Sequence, residues 1–315
     1  MVRTKAKKIP RIIIAARTKE QRKFARRAIT LSRDRVKEST IVKHDKSLRF
    51  FFHYCDVSRI GTPTTSLELD LILCKYMDFL WEDGEAVDLA GSTLSAIEFR
   101  ILPLRKKLSG AWKLIGCWRK LELPLQAPPL PVQVALALAG YGILIGDLGW
   151  AAGSLLMFHC FLRTGEAFAL KGHHVCVKGD EGVVLLADTK KGMRDAVGID
   201  CPLVRRLCQL RLNQISDDES FMGHSTTSGR VLFNRLIVFL DLQYLGLRLY
   251  SYRRGGATRF FRKTGNMETT LMRGRWESPR TAKQYITEGA LTLAQLGFRD
   301  EQKELFAELA KLLRR

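Results

Sequence analysis

"GRWESPRTAKQYITEG", residues 274–289, sets a tryptophan, several basic side chains and a tyrosine around a Ser-Pro helix start. Ser278 is a natural N-cap, Pro279 a natural first helical residue and Gly289 a natural C-terminal stop. This punctuation predicts a helix of about ten residues with Tyr285 in its second turn and Trp276 just outside the cap. A buried aromatic needs no ring of positive charge. A phenol aimed at a phosphate does, because its pKa near 10 lets it attack at neutral pH only with help from cations and a proton acceptor.

Three stretches upstream carry related chemistry. In "FLRTGEAFALK", Arg163 emerges from an apolar run with Glu166 three residues later. A buried arginine is costly unless paired or used, so Glu166 either partners it structurally or holds the guanidinium for a phosphate. "TKKG" places Lys190 and Lys191 at a β-turn, which alone carries no weight. In "LYSYRRGGATRFF", Arg253 and Arg254 open a helix that Gly255-Gly256 weakens by about 1 kcal/mol per glycine, a cost that suits close approach of the backbone to another element or to DNA.

The composition frames these motifs. The chain has 315 residues, 46% hydrophobic and 27% charged, as in a globular protein. Its formal net charge of +20 points to a polyanion as partner, since neutralising phosphates releases condensed counterions. Seven scattered cysteines without a C-x-x-C pair suit reduced thiols, not a disulfide framework. "HHVC" (His173, His174, Cys176) lacks a second ligand pair at zinc-like spacing and reads as a turn entering a strand, so no metal is expected. The opening "MVRTKAKKIPR" has neither the apolar core nor the cleavage pattern of a signal peptide. Residues 132–162 imitate a membrane span, but "GDLGW" at their middle reads as a turn between two short buried helices.

The chain divides at "LPLQAPPLP", residues 123–131, four prolines in nine positions. Before it come a basic arm, 1–35, and a helical domain, 36–122. There Leu69, Ile72, Leu73, Tyr76 and Leu80 share one face of a helix ending at Gly84. The last two helices of that domain crowd Arg100, Arg105, Lys106, Lys107, Lys113, Arg119 and Lys120 together. Such a run reads either as a solvated face or, being nearly free of acids, as a DNA-facing surface. Beyond the linker, 132–315 is mainly helical, with three short strands over 174–200 joined by turns at 178–180 and 190–192. The expected class is mainly α with a small antiparallel β-sheet. In the tail, "RDEQKELFAELAKLLRR", Leu305, Phe306, Leu309, Leu312 and Leu313 form one apolar stripe.

An arginine followed at three residues by an acid, a lysine in a β-hairpin, the "RRGGAT" helix start and a tryptophan nine residues before a tyrosine occur here in that order. Together they resemble the tyrosine recombinase (phage-integrase-like) family, over roughly residues 36–315, and their wording is most similar to recombinases of eukaryotic mobile elements of the DIRS and crypton kind. The resemblance implies a helical core-binding bundle followed by a catalytic domain. It implies that Arg163 and Arg253 grip the non-bridging oxygens of a scissile phosphate and stabilise the charge of a pentacoordinate transition state. Lys190, or alternatively Lys191, is then the acid for the departing 5′ oxygen, and Trp276 donates to the phosphate or packs the nucleophile. Tyr285 attacks, leaving a 3′-phosphotyrosyl DNA and a free 5′ hydroxyl, with no cofactor. Tyr250 departs from the pattern, standing where the family has histidine. Arg254 joins the DNA-binding set. The expected partner is double-stranded DNA, bound by a tetramer on two sites, with the tail helix packed on its own domain or on a neighbouring protomer. No membrane role is expected, and the location is nuclear in a eukaryote, otherwise cytoplasmic. The rivals are a catalytically impaired DNA-binding relative, a type IB topoisomerase-like relaxer and an RNA-binding module; the last lacks an aromatic-rich sheet.

Overall fold

The computed structural model describes residue 36 and residues 38–122, 126–186 and 195–314. The basic arm 1–35 and the turn carrying Lys190 and Lys191 lie outside the described residues. The chain forms two compact units, 1–125 and 126–315, so the division falls inside the proline-rich stretch.

The first unit is built from four helices, α1 (Glu38–Val57), α2 (Ser66–Glu82), α3 (Val87–Arg100) and α4 (Ser109–Leu121). Ser39 and Thr40 lie inside α1 and do not cap it. Thr65 caps α2, its side chain accepting Glu68 N–H, and α2 ends at Glu82, with Asp83 as its C-cap before Gly84, whose φ of 76° suits glycine. The helical spacing of α2 carries Leu73, Tyr76 and Leu80 into a core with Leu48, Phe51, Leu94, Ile115 and Trp118, while Leu69 and Ile72 pack at its edge. One polar residue enters this core for a reason. Asp70 is buried, and its carboxylate accepts Gly110 N–H at 2.8 Å and Ala111 N–H at 3.0 Å. It thereby caps α4 from another helix, satisfying donors that α4 itself leaves open. Asp70→Ala is expected to lower unfolding stability by about 2 kcal/mol, since a buried donor on Ala111 and a half-buried one on Gly110 lose their partner. A denaturant midpoint equal to wild type would show that water replaces the carboxylate.

The second unit surrounds one apolar hairpin. Helices α5 (Val132–Leu144) and α6 (Leu148–His159) are joined by Gly146 at φ 73° and by Asp147, whose side chain caps α6 through Trp150 N–H at 2.9 Å. Every residue of α6 from Gly149 to Phe158 is buried. A helix apolar all round is a central core helix, and no helix among the described residues is long and apolar enough to cross a membrane. After the short α7 (Thr164–Ala167) come three antiparallel strands, β1 (Val175–Lys178), β2 (Glu181–Leu186) and β3 (Asp195–Gly198), in the order β1-β2-β3. Val175 pairs with Val184 and Val184 with Val197, so buried valines run across one face of the sheet.

Helices α8 (Pro202–Leu212), α9 (Thr226–Phe239), α10 (Ser251–Thr264), α11 (Met267–Gly274), α12 (Pro279–Lys283), α13 (Glu288–Leu296) and α14 (Asp300–Leu312) complete the unit. The tail stripe packs within its own unit, with Phe306, Leu309 and Leu313 buried in the main core and α14 lying against α5. The approach is close enough that a Cβ on Gly140 would lie 1.9 Å from the Leu309 carbonyl oxygen.

The "RRGG" glycines do not interrupt α10. A Cβ on Gly255 would lie 2.0 Å from the Leu130 carbonyl oxygen, and one on Gly256 would lie 1.8 Å from that of Phe158. Absence of side chains therefore lets α10 press against the end of α6 and against the chain leaving the proline-rich stretch. That chain is no free linker here: Leu130 is buried and its N–H donates to the Ser251 carbonyl at 3.0 Å. The contact fixes where the start of α10, with Tyr250 and Arg253, is presented.

Candidate active site

The chain leaving α6 bends at Phe161, a non-glycine residue at φ 49°. This left-handed geometry costs roughly 1 kcal/mol or more and is stored mostly at functional sites. The bend presents the Phe161 carbonyl to two guanidiniums, those of Arg253 and Arg275. Two residues on, Arg163 caps α7. Its backbone N–H donates to Glu166 Oε2 at 2.8 Å, and its Nη1 to Glu166 Oε1 at 2.6 Å. Glu166 is thus the structural partner of Arg163, which nevertheless keeps 30% of its side chain exposed.

Arg253 comes from the first turn of α10 and is fully buried. Besides Phe161 O, its guanidinium reaches the Gly274 carbonyl at 2.7 Å. Burial draws its pKa down to about 10, assisted by the charges of Arg163 and Arg275, so it stays cationic at neutral pH. The guanidinium carbon stands 5.0 Å from the ring centre of Trp276 and 5.3 Å from that of Tyr285, a cation held over two aromatic faces. Trp276 is 8% exposed and lies 4.7 Å from the Tyr285 ring at 32°, with Phe161 at 6.2 Å and 25°. Gly274 admits the indole, because a Cβ there would meet it at 2.1 Å. Trp276 Nε1 and Arg253 Nε are buried without a hydrogen-bond partner among the described residues.

Tyr285 does not sit in the second turn of a ten-residue helix. Ser278 caps as expected, accepting Thr281 N–H at 3.3 Å, but α12 ends at Lys283 and Tyr285 occupies the following turn. Gly289 stops nothing; it lies in the first turn of α13, which begins after Thr287. The cause is tertiary. Thr258, one turn beyond Arg254 on α10, has its hydroxyl 3.1 Å from the Tyr285 carbonyl oxygen and accepts Thr287 N–H at 3.2 Å. One helix therefore carries Arg253 and also pins the backbone just after the tyrosine.

Tyr250 precedes α10, and its hydroxyl oxygen lies 2.5 Å from that of Tyr285. Burial, the hydrogen bond to Tyr285 and the Tyr285 charge push the Tyr250 phenol up to about 12, despite the opposing pull of Arg253 and Arg163. Tyr250 is therefore a neutral hydrogen-bonding partner at physiological pH and no base.

Tyr250, Arg253, Trp276 and Tyr285 thus meet directly, and Arg163 acts on the same ground through its charge. Lys190 and Lys191 fall outside the described residues. In the first unit, Arg100 pairs with Asp45, while Arg105, Lys106, Lys107, Lys113, Arg119 and Lys120 are exposed. Arg254 differs from expectation. It is buried at 6% exposure and donates to Gln126 Oε1 at 2.7 Å, so it ties α10 to the chain entering the unit and is not an open DNA-facing cation.

Sequence reasoning overlooked Arg275. It stands at φ 56° with its side chain 8% exposed, its Nη2 2.9 Å from Glu166 Oε2 and 3.3 Å from Phe161 O. The only sequence signal is an arginine directly before Trp276, and nothing in the spacing tells a buried arginine there from a surface one. Burial pushes Glu166 up, but the Arg275 charge and the hydrogen bonds from Arg163 outweigh it and hold the carboxyl below its usual range.

The architecture has counterparts among solved structures. The pre-cleavage complex of the XerH site-specific recombinase bound to difH substrate matches with a TM-score of 0.53 at 16% identity, covering 78% of this chain and 76% of that one. The post-cleavage XerH complex on palindromic difH substrate gives 0.53 at 15%, covering 85% and 79%. A lambda integrase(75-356) dimer bound to a COC′ core site gives 0.52 at 12%, covering 80% and 90%. At such identities the likeness is one of fold, and the mainly helical fold with a small antiparallel sheet is that of these recombinases. No protein-family model and no curated protein matches the chain.

Proposed function

We propose that the protein is a site-specific DNA recombinase or integrase that cuts and rejoins strands through a tyrosine nucleophile. The observation that carries this reading is the convergence on Tyr285: a buried guanidinium over its ring, an indole against its face and a second phenol at its hydroxyl. In the proposed step the Tyr285 oxygen forms a bond to phosphorus as the bond from phosphorus to the 5′ oxygen breaks. Tyr285 gives its proton to a phosphate oxygen or to water, Tyr250 being no base, and the departing oxygen gains one, which Lys190 supplies. Arg163 and Arg253 hold the non-bridging oxygens and stabilise the charge of the transition state. The DNA is left joined to Tyr285 through a 3′ phosphate, and the free 5′ hydroxyl of a partner strand reverses the step. Because one phosphoester replaces another, the exchange needs no nucleotide hydrolysis and no metal.

The reading is supported by the fold shared with recombinases solved on DNA and by the +20 net charge. Double-stranded DNA is the proposed partner, held by a homo-oligomer, for which the DNA-bound lambda integrase dimer is the precedent. The wording of the "RRGGAT" and "GRW" motifs favours a mobile-element recombinase of the DIRS or crypton kind. Tyr250 favours one second reading, a DNA-binding relative with reduced turnover, since a neutral phenol replaces the usual base.

The test is incubation with a duplex nicked near the cleavage point, so that the short released fragment diffuses away and the covalent complex accumulates. A denaturant-resistant protein–DNA species supports the enzyme. Clean DNA binding without it supports the impaired relative. Binding itself is expected to weaken steeply with salt, with a log–log slope of about −0.9 per phosphate neutralised. A flat titration would argue against a phosphate-gripping surface.

A further inference from the structure

Arg275 is the third guanidinium at this site, and its surroundings give it a definite task. Glu166 serves two arginines: Oε1 takes Arg163 Nη1 at 2.6 Å, while Oε2 takes the Arg163 backbone N–H at 2.8 Å and Arg275 Nη2 at 2.9 Å. Both the carboxylate and Arg275 are more than nine-tenths buried. Asp195, the next acid along, is 3.9 Å from Arg275 Nε, beyond hydrogen-bond reach. Arg275 Nε and Nη1 are buried without a hydrogen-bond partner among the described residues. The Phe161 carbonyl, shared by Arg253 and Arg275, fixes the two guanidiniums relative to each other.

The charges decide what this arrangement does. An arginine paired alone with a buried carboxylate is neutralised and has little attraction left for a phosphate. With Arg275 present, two guanidiniums share Glu166, and even with Asp195 3.9 Å from Arg275 the neighbouring charge of Arg253 leaves the cluster with a net positive charge. Arg163, the member with an accessible edge, is the one that can spend it on a ligand.

We propose that Arg275 is a positioning residue that offsets the charge of Glu166, so that the Arg163 guanidinium, though bonded to Oε1, keeps a net positive edge with which to grip a phosphoryl oxygen. This rests on the part of the proposed function that makes Arg163 a phosphate ligand. Among the described residues, removing Arg275 leaves Glu166 Oε2 with the Arg163 backbone N–H alone and Arg163 as the one cation hydrogen-bonded to the buried carboxylate. The charge of Arg163 is then taken up by Glu166 and the anion site is weakened.

The test uses Arg275→Gly, Arg275→Lys, Glu166→Gln and the combined Arg275→Gly/Glu166→Gln protein. Glycine adopts φ 56° without strain, so the backbone is kept. The first readout is the rise in Tm produced by inorganic phosphate over chloride at equal ionic strength, compared between variants. The second is the rate of covalent complex formation on the nicked duplex. Arg275→Gly is expected to weaken phosphate on the order of tenfold, with Arg275→Lys intermediate, and the combined variant to recover most of the loss. Complex formation is expected to follow the same order. Glu166→Gln alone is expected to tighten phosphate several-fold, a readout available even if Arg275→Gly does not melt cooperatively. A structural role for Arg275 predicts that Arg275→Gly loses as much in the Glu166→Gln background as in wild type, and that additive result overturns the proposal. So does weaker phosphate binding in Glu166→Gln, or a wild type that phosphate stabilises no more than chloride. If the phosphate pattern holds but no Tyr285-dependent complex forms, strand exchange is lost as the function and the role of Arg275 stands.

Discussion

Tyr285→Phe is expected to abolish covalent complex formation on a nicked duplex while leaving folding and DNA binding nearly intact. The substitution removes one oxygen. The ring it leaves keeps its packing on Trp276 and its place beneath Arg253, and its backbone stays anchored to Thr258. Among the described residues, the hydrogen bond lost is the one to the Tyr250 hydroxyl, a solvent-reachable contact, so stability should change by about 1 kcal/mol or less. The control is built into the site. Tyr250 offers a second phenol 2.5 Å away, but burial and the bond to Tyr285 push its pKa up to about 12, so almost none of it is ionised for attack near neutrality. Tyr250→Phe should therefore still form the covalent species, at a reduced rate. A complex that survives Tyr285→Phe and vanishes in Tyr250→Phe would exchange the roles of the two residues. A complex lost together with cooperative melting would reflect unfolding, and chemistry would have to be judged from Arg253→Lys instead.

The same pair of tyrosines shows how far sequence alone reaches. Punctuation by Ser278 and Pro279 locates the start of α12 because capping is local chemistry. Its end is not local: α12 stops before Tyr285 where the Thr258 hydroxyl, from 27 positions earlier, lies 3.1 Å from the Tyr285 carbonyl oxygen and accepts Thr287 N–H. The apolar hairpin of α5 and α6 is legible for a similar reason, since "GDLGW" supplies both the left-handed glycine and the capping aspartate. The "GG" pair reads correctly as a demand for close approach, whereas the surfaces approached, Leu130 and Phe158, appear only in three dimensions. Charge is read least well. Arg254 and Arg275 look like any other basic residues in the sequence, yet one is buried against Gln126 and the other against Glu166. Burial of an arginine depends on which carbonyls and carboxylates the fold brings to it, and those of Phe161 and Glu166 lie more than 100 positions from Arg275.

Tyr250→His is expected to accelerate covalent complex formation, by roughly 10²-fold, at the lower end of what a positioned acid–base group contributes. The wild-type phenol can orient the Tyr285 hydroxyl and donate to a phosphate oxygen, but with a pKa of about 12 it accepts no proton near neutrality. An imidazole has an ordinary pKa near 6.5, and Arg253 and Arg163, whose charges already pull the phenol down, would lower it further. Histidine there would be neutral at pH 7 and able to take the Tyr285 proton as the bond to phosphorus forms. The sign of the pH dependence follows. The wild-type rate should show no inflection from this position until the phenol itself ionises, in strongly alkaline solution. The histidine variant should lose its advantage as pH falls through the imidazole pKa, because the protonated ring cannot accept. The position tolerates the exchange sterically, being 37% exposed at the head of α10. A histidine variant slower than wild type at every pH would mean that the site needs a neutral hydroxyl donor there. Tyr250 would then be a fitted part of the phosphate grip, and the proton of Tyr285 would leave to the phosphate or to water whichever residue stands there.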